Sequence, residues 1–481
     1  MSAAKSASGK ASKPHDLGVV GGGVGGLVTA SVAGQLGLDT VLIERGHNLG
    51  GDCLHYGCVP SKTLIRSASV ARTVARSAEY GVHADGGQVD FTGVLQRVRR
   101  VVESIQEHDD PERFRGFGVD VRFGEARFTD PHTVAVDGAP VRGRRFVIAT
   151  GSAPAVPPVP GLSEAEPLTN ETVFSIDEQP ERLAVIGAGS IGMEMAQAFQ
   201  RLGTRVTVIE AAERILPRDD ADAAEELRTV VAREGVDVRV GTALKSVRSR
   251  DGEHALELGD GGTVACDRIL VAAGRRATLD ALDLEKAGVE TENGLIRVDP
   301  RMRTSRKHIF ACGDCCGPYA FTHMAEYQAG IVLANAVFRF PKKASYRSVP
   351  WVTFTDPELG QVGLTEAQAR EQGLSVDVAR FRTRDVDRAM TDGQTDGFVK
   401  LIVHRGRLVG GTVLAPHGGE LLHELVLAVH ARVKVSALSA AIHAYPTLSQ
   451  IHRRAVNTLY APRLYSARTR RMVQWIHRLL P

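Results

Sequence analysis

The chain has 481 residues, 43% of them hydrophobic, and 59 Lys plus Arg stand against 56 acidic residues for a formal charge of +3. That length exceeds one ordinary core and that apolar content argues against a globally disordered chain. The balanced charge argues against nucleic-acid binding through a basic surface, and no apolar run is long enough to span a bilayer. Small anionic ligands are the expected partners.

The first residues, Met1 to Pro14, are rich in Ser, Ala and Lys and have no apolar h-region, so a disordered tail on a cytoplasmic protein is expected there. Six cysteines are too few for a disulfide scaffold, and in a reducing compartment a close pair is catalytic or metal-binding.

Leu17-Gly18-Val19-Val20 leads into Gly21-x-Gly23-x-x-Gly26, and Leu27, Val28, Ala30, Val32 and Ala33 follow at helical spacing. This predicts strand, tight turn and helix. Bare backbone at the turn lets a pyrophosphate approach the helix N-terminus. A second apolar strand, Thr40 to Ile43, ends in Glu44, placed to accept hydrogen bonds from a ribose. A dinucleotide site is the reading.

Next comes Gly50-Gly51-Asp52-Cys53-Leu54-His55-Tyr56-Gly57-Cys58-Val59-Pro60-Ser61-Lys62. A C-x4-C pair on a helix start brings the sulfurs together across about one turn, and a helix N-terminus lowers a thiol pKa. Structural zinc would need four ligands, and no second pair has matching spacing.

The strand Phe146-Val147-Ile148-Ala149 stops at Thr150-Gly151, and Pro154, Pro157, Pro158 and Pro160 then stiffen a crossover. The dinucleotide pattern recurs: Leu183 to Ile186 enters Gly187-x-Gly189-x-x-Gly192, and Val206 to Ile209 ends in Glu210. Glu210 favours NAD over NADP by repelling a 2′-phosphate. Arg214 and Arg218 just beyond it either neutralise such a phosphate or are solvated loop charges. Ile269 to Ala273 ends at Gly274, and Cys312, Cys315 and Cys316 surround Asp314 as small buried residues or an auxiliary thiol site. From about Val349 alternating strands such as Phe398 to Val403 and an apolar helix at Leu421 to Val433 predict a separate α+β domain. The tail from Pro462 mixes arginines with Met472, Trp475, Ile476 and Leu479. A docked helix with a solvated charged face is expected, with contact to an anionic membrane as the alternative.

The two glycine motifs, the Cys53 to Lys62 segment, the turns at Thr150-Gly151 and Gly274-Arg275, and Cys312-Gly313-Asp314 together resemble the class I pyridine nucleotide-disulfide oxidoreductases. This is the family of dihydrolipoyl dehydrogenase, glutathione reductase and mercuric reductase. The resemblance covers nearly the whole chain and implies an α/β fold. Two Rossmann-like dinucleotide-binding domains, for FAD and NAD, are joined by a C-terminal α+β dimerisation domain. It divides the chain into a tail at 1–14, FAD-binding segments at 15–160 and 281–347, and an NAD(P)-binding domain at 161–280. The dimerisation domain at 348–461 and a basic amphipathic tail at 462–481 complete it. It implies that NAD(H), with NADP(H) as the alternative, feeds electrons through FAD to a redox-active Cys53–Cys58 disulfide in a homodimer. Cys58 becomes the charge-transfer thiolate, Cys53 the outer thiol that meets substrate, Lys62 a cation near the flavin N5 edge and Glu194 its partner. Gly51, Thr150, Gly151, Gly274 and Asp314 join the cofactor-binding residues.

One departure bears on the acceptor. Where disulfide-reducing members carry H-P-T-x-x-E, with His and Glu as an acid-base dyad supplied by the other subunit, this chain has Tyr445-Pro446-Thr447-Leu448-Ser449-Gln450. A phenol with an ordinary pKa near 10 protonates a departing thiolate poorly. Tyrosine there resembles mercuric-reductase-like members, in which thiolates hold a soft metal ion, yet no cysteine follows Cys316. His443 or His452 is a candidate replacement base, against a bland role at a domain edge. A small molecule or metal ion is the expected acceptor, and no resident metal is expected. The rivals are a diaphorase reducing quinones directly from the flavin and a subunit of a lipoyl complex.

Overall fold

The computed structural model describes residues 13–84 and 87–480. Most of the expected N-terminal tail, residues 1–12, lies outside the described residues. The chain divides into two compact units. The first comprises the described residues up to Pro60 with Gln96–Ala155 and Arg275–Ser345, and the second Ser61–Leu95, Val156–Gly274 and the described residues from Tyr346 onward.

The first unit is built on a five-stranded parallel sheet in the order Ile309–Ala311, Phe146–Ile148, Leu17–Val20, Thr40–Glu44, Val119–Phe123. Four of these are short apolar runs buried almost throughout, as strands covered on both faces must be, whereas the edge strand Val119–Phe123 buries Val119 and Val121 and exposes Asp120 and Phe123. The helices Val24–Gln35 and Thr322–Ala336 pack against each other and join this core. Because the strands are parallel, Gly21, Glu44, Thr150 and Asp314 all follow the same, carboxyl, edge of the sheet, where ligands bind in such folds. An antiparallel sheet of Ala126–Asp130, Thr133–Val136 and Ala139–Arg142 adds to the core through Phe128, whose ring meets Phe146 edge-on at 5.5 Å.

The second unit repeats the plan. Asp237–Arg239, Arg205–Ile209, Arg182–Ile186 and Arg268–Val271 form a parallel sheet, so Gly187, Glu210 and Gly274 share its carboxyl edge. A five-stranded antiparallel sheet, ordered Pro350–Thr353, Glu358–Gly363, Arg407–Ala415, Phe398–His404, Asp377–Arg382, carries the helices Gly418–His430 and Gln450–Leu464. The α/β class with two dinucleotide folds and a C-terminal α+β domain is the observed architecture.

Three local expectations change. Cys53 and Cys58 do not share a helix: Gly51–His55 is a separate short helix, and Cys58 opens Cys58–Ala75 after the break at Tyr56-Gly57. The apolar helix expected at Leu421 to Val433 starts earlier, at Gly418, because Gly419 N donates to the Glu358 carboxylate at 2.8 Å and caps that start. Residues 61–95 group with the second unit, drawn there by the Lys62–Glu194 ion pair, by Phe91 against Phe199 and by the Tyr80 hydroxyl on Asp392 O.

Candidate active site

Both glycine loops divide their work in the same way. The first glycine of each turns the chain with a positive φ, +110° at Gly21 and +105° at Gly187. A Cβ on the third, Gly26 or Gly192, would overlap the carbonyl oxygen of the first. The second glycine is different: nothing lies within 4 Å of a Cβ on Gly189, and on Gly23 only Gly51 Cα at 3.9 Å. The chain's own packing therefore does not require a glycine there, whereas a pyrophosphate seated on the bare backbone does.

Each loop is clamped by the acid expected to face a ribose. Glu44 accepts from Gly22 N at 2.5 Å and Gly46 N at 2.6 Å, and Glu210 from Ala188 N at 2.7 Å and Ala212 N at 2.8 Å. One N–H per carboxylate oxygen leaves lone pairs on both oxygens for ribose hydroxyls. Arg214 is not turned toward such a ligand, since its guanidinium donates to the carbonyls of Leu216, Pro217 and Asp219 within its own loop. Of the two arginines weighed for a 2′-phosphate, it is spent on the backbone.

Further along the first sheet edge, Thr150 Oγ1 and Thr278 Oγ1 are buried without a hydrogen-bond partner, and Gly151 turns at φ +67°. Asp314 accepts from Ser152 Oγ at 2.6 Å, Ser152 Oγ accepts from Arg275 Nε at 2.8 Å, and Arg275 pairs with Asp52 at 3.0 Å. Burial pushes the Asp314 carboxyl up, against the Ser152 hydrogen bond that lowers it. In the second unit Gly274 ends its strand at φ +134° facing open space.

The thiols are positioned from this edge by close backbone approach. Gly50 N donates to Gly22 O at 2.9 Å, and a Cβ on Gly51 would come within 2.7 Å of Gly23 Cα. The cysteine segment thus starts against the dinucleotide loop itself. Cys53 is half-buried and Cys58 exposed. A hydrogen bond to Cys58, then burial, then the charge on Cys58 push the Cys53 thiol far above its usual range. The expected lowering by a helix N-terminus therefore does not apply to Cys53. Cys58 is the residue that begins the 18-residue helix. Cys58 Sγ also shares a hydrogen bond with Thr322 Oγ1 at 3.4 Å.

One turn along that helix stands Lys62. In the second unit its ammonium lies 2.8 Å from Glu194 Oε2 and 4.5 Å from the centre of the Phe354 ring. Glu194 is buried, and its other oxygen accepts from Phe354 N at 2.9 Å. A buried carboxylate with both oxygens engaged holds the lysine head in place. Thr322 and Phe354 have no sequence signal at their own positions. Each is brought to its partner by tertiary packing.

At the C-terminal departure, Tyr445 is 70% exposed, whereas His452 is fully buried. His443 Nε2 and His452 Nδ1 meet the two oxygens of one carboxylate, Glu424, at 3.0 and 2.7 Å. His443 is engaged at both ring nitrogens, its Nδ1 lying 3.2 Å from Ala441 O, whereas His452 Nε2 is buried without a hydrogen-bond partner. Burial would raise the Glu424 carboxyl, but the hydrogen bonds and charges of His452 and His443 outweigh it and hold the group below its usual range. Cys312, Cys315 and Cys316 are buried among the core residues of the first unit. Burial pushes the Cys312 thiol up, and Cys315 Sγ donates to Cys312 O at 3.2 Å. Small core residues, not an accessible thiol site, is the reading this burial supports.

Residues 15–329 match the pyridine nucleotide-disulphide oxidoreductase family and residues 349–456 its dimerisation domain. The chain belongs to the pyridine nucleotide-disulfide oxidoreductases. It is 34% identical over 393 residues to a mercuric reductase of Lysinibacillus sphaericus, covering 81% of this chain and 72% of that one. To a dihydrolipoyl dehydrogenase of Bacillus subtilis it is 32% identical over 413 residues, 81% and 86% of the two chains. The Cu(II) complex of the HOCl-induced flavoprotein disulfide reductase RclA from Escherichia coli superposes with a TM-score of 0.85 at 27% identity. That match covers 93% of this chain and 100% of RclA. The enzymes of this family contain FAD and use NAD(P)H. The open second glycines, the free lone pairs of Glu44 and Glu210 and the unpartnered Thr150 hydroxyl fit such dinucleotides. No helix among the described residues is long and apolar enough to cross a membrane.

Two outcomes follow from this geometry. Gly192→Ala should cost about 1–3 kcal/mol of stability in denaturant unfolding, whereas Gly189→Ala should leave stability unchanged and raise the NAD(P)H KM. Equal effects on stability would contradict the division of labour. A carboxyl with a lowered folded pKa adds stability above its unfolded pKa, about 4.3, that is lost as pH falls through the folded value. Glu424→Gln should therefore flatten the decline of stability below about pH 4.3; an unaltered acid limb would show that Glu424 does not contribute.

Proposed function

We propose that this enzyme draws electrons from NADH and, through FAD and a redox-active Cys53–Cys58 pair, reduces a thiophilic metal ion such as mercuric ion, working as a homodimer in the cytoplasm. FAD, when bound, supplies the two-electron relay between nicotinamide and the dithiol-disulfide pair. Gly21, Gly23, Gly26, Glu44, Gly51, Thr150, Gly151 and Asp314 would hold it, and Gly187, Gly189, Gly192, Glu210 and Gly274 the nicotinamide nucleotide. Glu210 with Arg214 engaged in its own loop favours NADH over NADPH. The Lys62 ammonium would stabilise negative charge on the reduced cofactor. Cys58 is the sulfur that accepts electrons and Cys53 the outer thiol that meets the acceptor.

The observation that carries the choice of acceptor is the loss of a base. Tyr445 stands where disulfide-reducing relatives place histidine, and both nearby histidines are held by Glu424. Reducing a disulfide ends in a departing thiolate that needs a proton, whereas a metal ion held by two thiolates needs only electrons. Mercuric reductases among the relatives and a Cu(II) complex of RclA support this reading. With no cysteine after Cys316, the ion would reach Cys53 without a second pair to pass it inward.

Anaerobic NADH turnover should be faster with mercuric ion than with lipoamide, glutathione disulfide or a quinone, and should fall to background in Cys53→Ser. Faster lipoamide or glutathione disulfide turnover would overturn the metal reading. Quinone turnover indifferent to Cys53→Ser, as the leading activity, would make the enzyme a diaphorase.

A further inference from the structure

The last helix of the chain has no role in the chemistry above. Ala467–Leu479 is a helix on local grounds: Ser466 accepts from Thr469 N at 3.2 Å as its N-cap, and His477 and Arg478 occupy its last turn. The expected docking of this helix on its own chain is not observed, since none of its residues is buried. At 3.6 residues per turn, Met472, Val473, Trp475, Ile476, Leu479 and Leu480 fall within one sector of about 160°. All six are exposed, Trp475 by 64% and Leu480 by 68%. Arg470, Arg471, Gln474, His477 and Arg478 fill the opposite sector, while Arg468 and Thr469 of the first turn fall at the N-terminal end of the apolar one.

The charge around it is one-sided. No Asp or Glu follows Glu424, and residues 450–481 hold seven arginines, more than the net +3 of the whole chain. The helix also lies beyond the family's shared parts. The dimerisation domain match ends at residue 456, before this helix begins.

We propose that Ala467–Leu479 is an interfacial anchor that lays this enzyme on an anionic lipid bilayer. A helix of 13 residues is about 20 Å long, too short to cross a hydrocarbon core of about 30 Å. Lying in the interface, it can bury its apolar sector among acyl chains while its arginines meet lipid phosphates. Nucleic acid would satisfy the arginines but leave Trp475, Ile476 and Leu479 in water. A two-fold contact with a second copy would bury the apolar sector but bring two arginine-rich helices together with no acidic residue on either.

The test uses the full-length holoenzyme and a variant ending at Tyr465, with vesicles of phosphatidylcholine alone or mixed with phosphatidylglycerol. The full chain should co-float with the anionic vesicles, more weakly as salt rises, with a blue shift of tryptophan emission that is lost in Trp475→Phe. Truncation should abolish binding and leave NADH turnover unchanged. Replacing Arg470, Arg471 and Arg478 by Glu should lower partitioning by at least about 100-fold, from about fivefold per arginine near an anionic surface. Equal flotation of the full and truncated chains would overturn the proposal. So would a smaller assembly for the truncated chain in light scattering, which would assign the helix to a contact between copies. Tight binding of a nucleic-acid duplex that vesicles fail to displace would overturn it as well.

Discussion

The arrangement rests on a steric constraint: at the carboxyl edge of each parallel sheet the backbone has to be bare. At Gly26 and Gly192 the helix crosses its own turn so closely that a Cβ would overlap a carbonyl oxygen. At Gly23 and Gly189 the same bareness faces outward and exposes backbone at a helix N-terminus, where a pyrophosphate is favoured by N–H groups and dipole together. The approach of Gly50-Gly51 to Gly22-Gly23 extends this constraint to the thiols. It sets the start of the segment carrying Cys53 and Cys58 against the loop that would receive a dinucleotide, so that loop and the cysteine pair are placed by one contact.

Charge is arranged with equal economy. Glu44 and Glu210 each hold a loop by two hydrogen bonds, and bonds to a charged acceptor contribute about 1.5–3 kcal/mol apiece. Glu194 is buried, and Lys62 is the cation paired with it. Removing one partner of a fully buried pair costs about 3–5 kcal/mol, and solvent reaching the 35% exposed Lys62 side chain places this pair below that range. The Cys53 thiol is pushed far above its usual range by its hydrogen bond to Cys58, by burial and by the charge on Cys58.

What could be read in advance follows from the range of each interaction. The glycine spacings, the strands before them and the acids after them lie within about thirty residues, so local pattern located both dinucleotide loops. The Lys62–Glu194 pair spans 132 residues and was accessible only through family resemblance. Thr322, Phe354 and Glu424 were missed because nothing near them in sequence marks the partner that packing brings. The break at Tyr56-Gly57 escaped because hydrophobic periodicity does not resolve a one-turn interruption. For Arg214 the sequence showed a charge but not its direction, which the carbonyls of its own loop determine. The amphipathic pattern of the last helix was plain, but such a pattern does not say what covers the apolar side.

The central claim is that Cys58 is the sulfur in electronic contact with the flavin and Cys53 is the outer thiol. It is tested most directly by the absorption spectrum of the two-electron-reduced holoenzyme, recorded anaerobically for the native chain, Cys53→Ser and Cys58→Ser. The account predicts a long-wavelength thiolate-to-flavin charge-transfer band in the native chain and in Cys53→Ser, and its loss in Cys58→Ser. A band that survives in Cys58→Ser and disappears in Cys53→Ser would contradict the assignment.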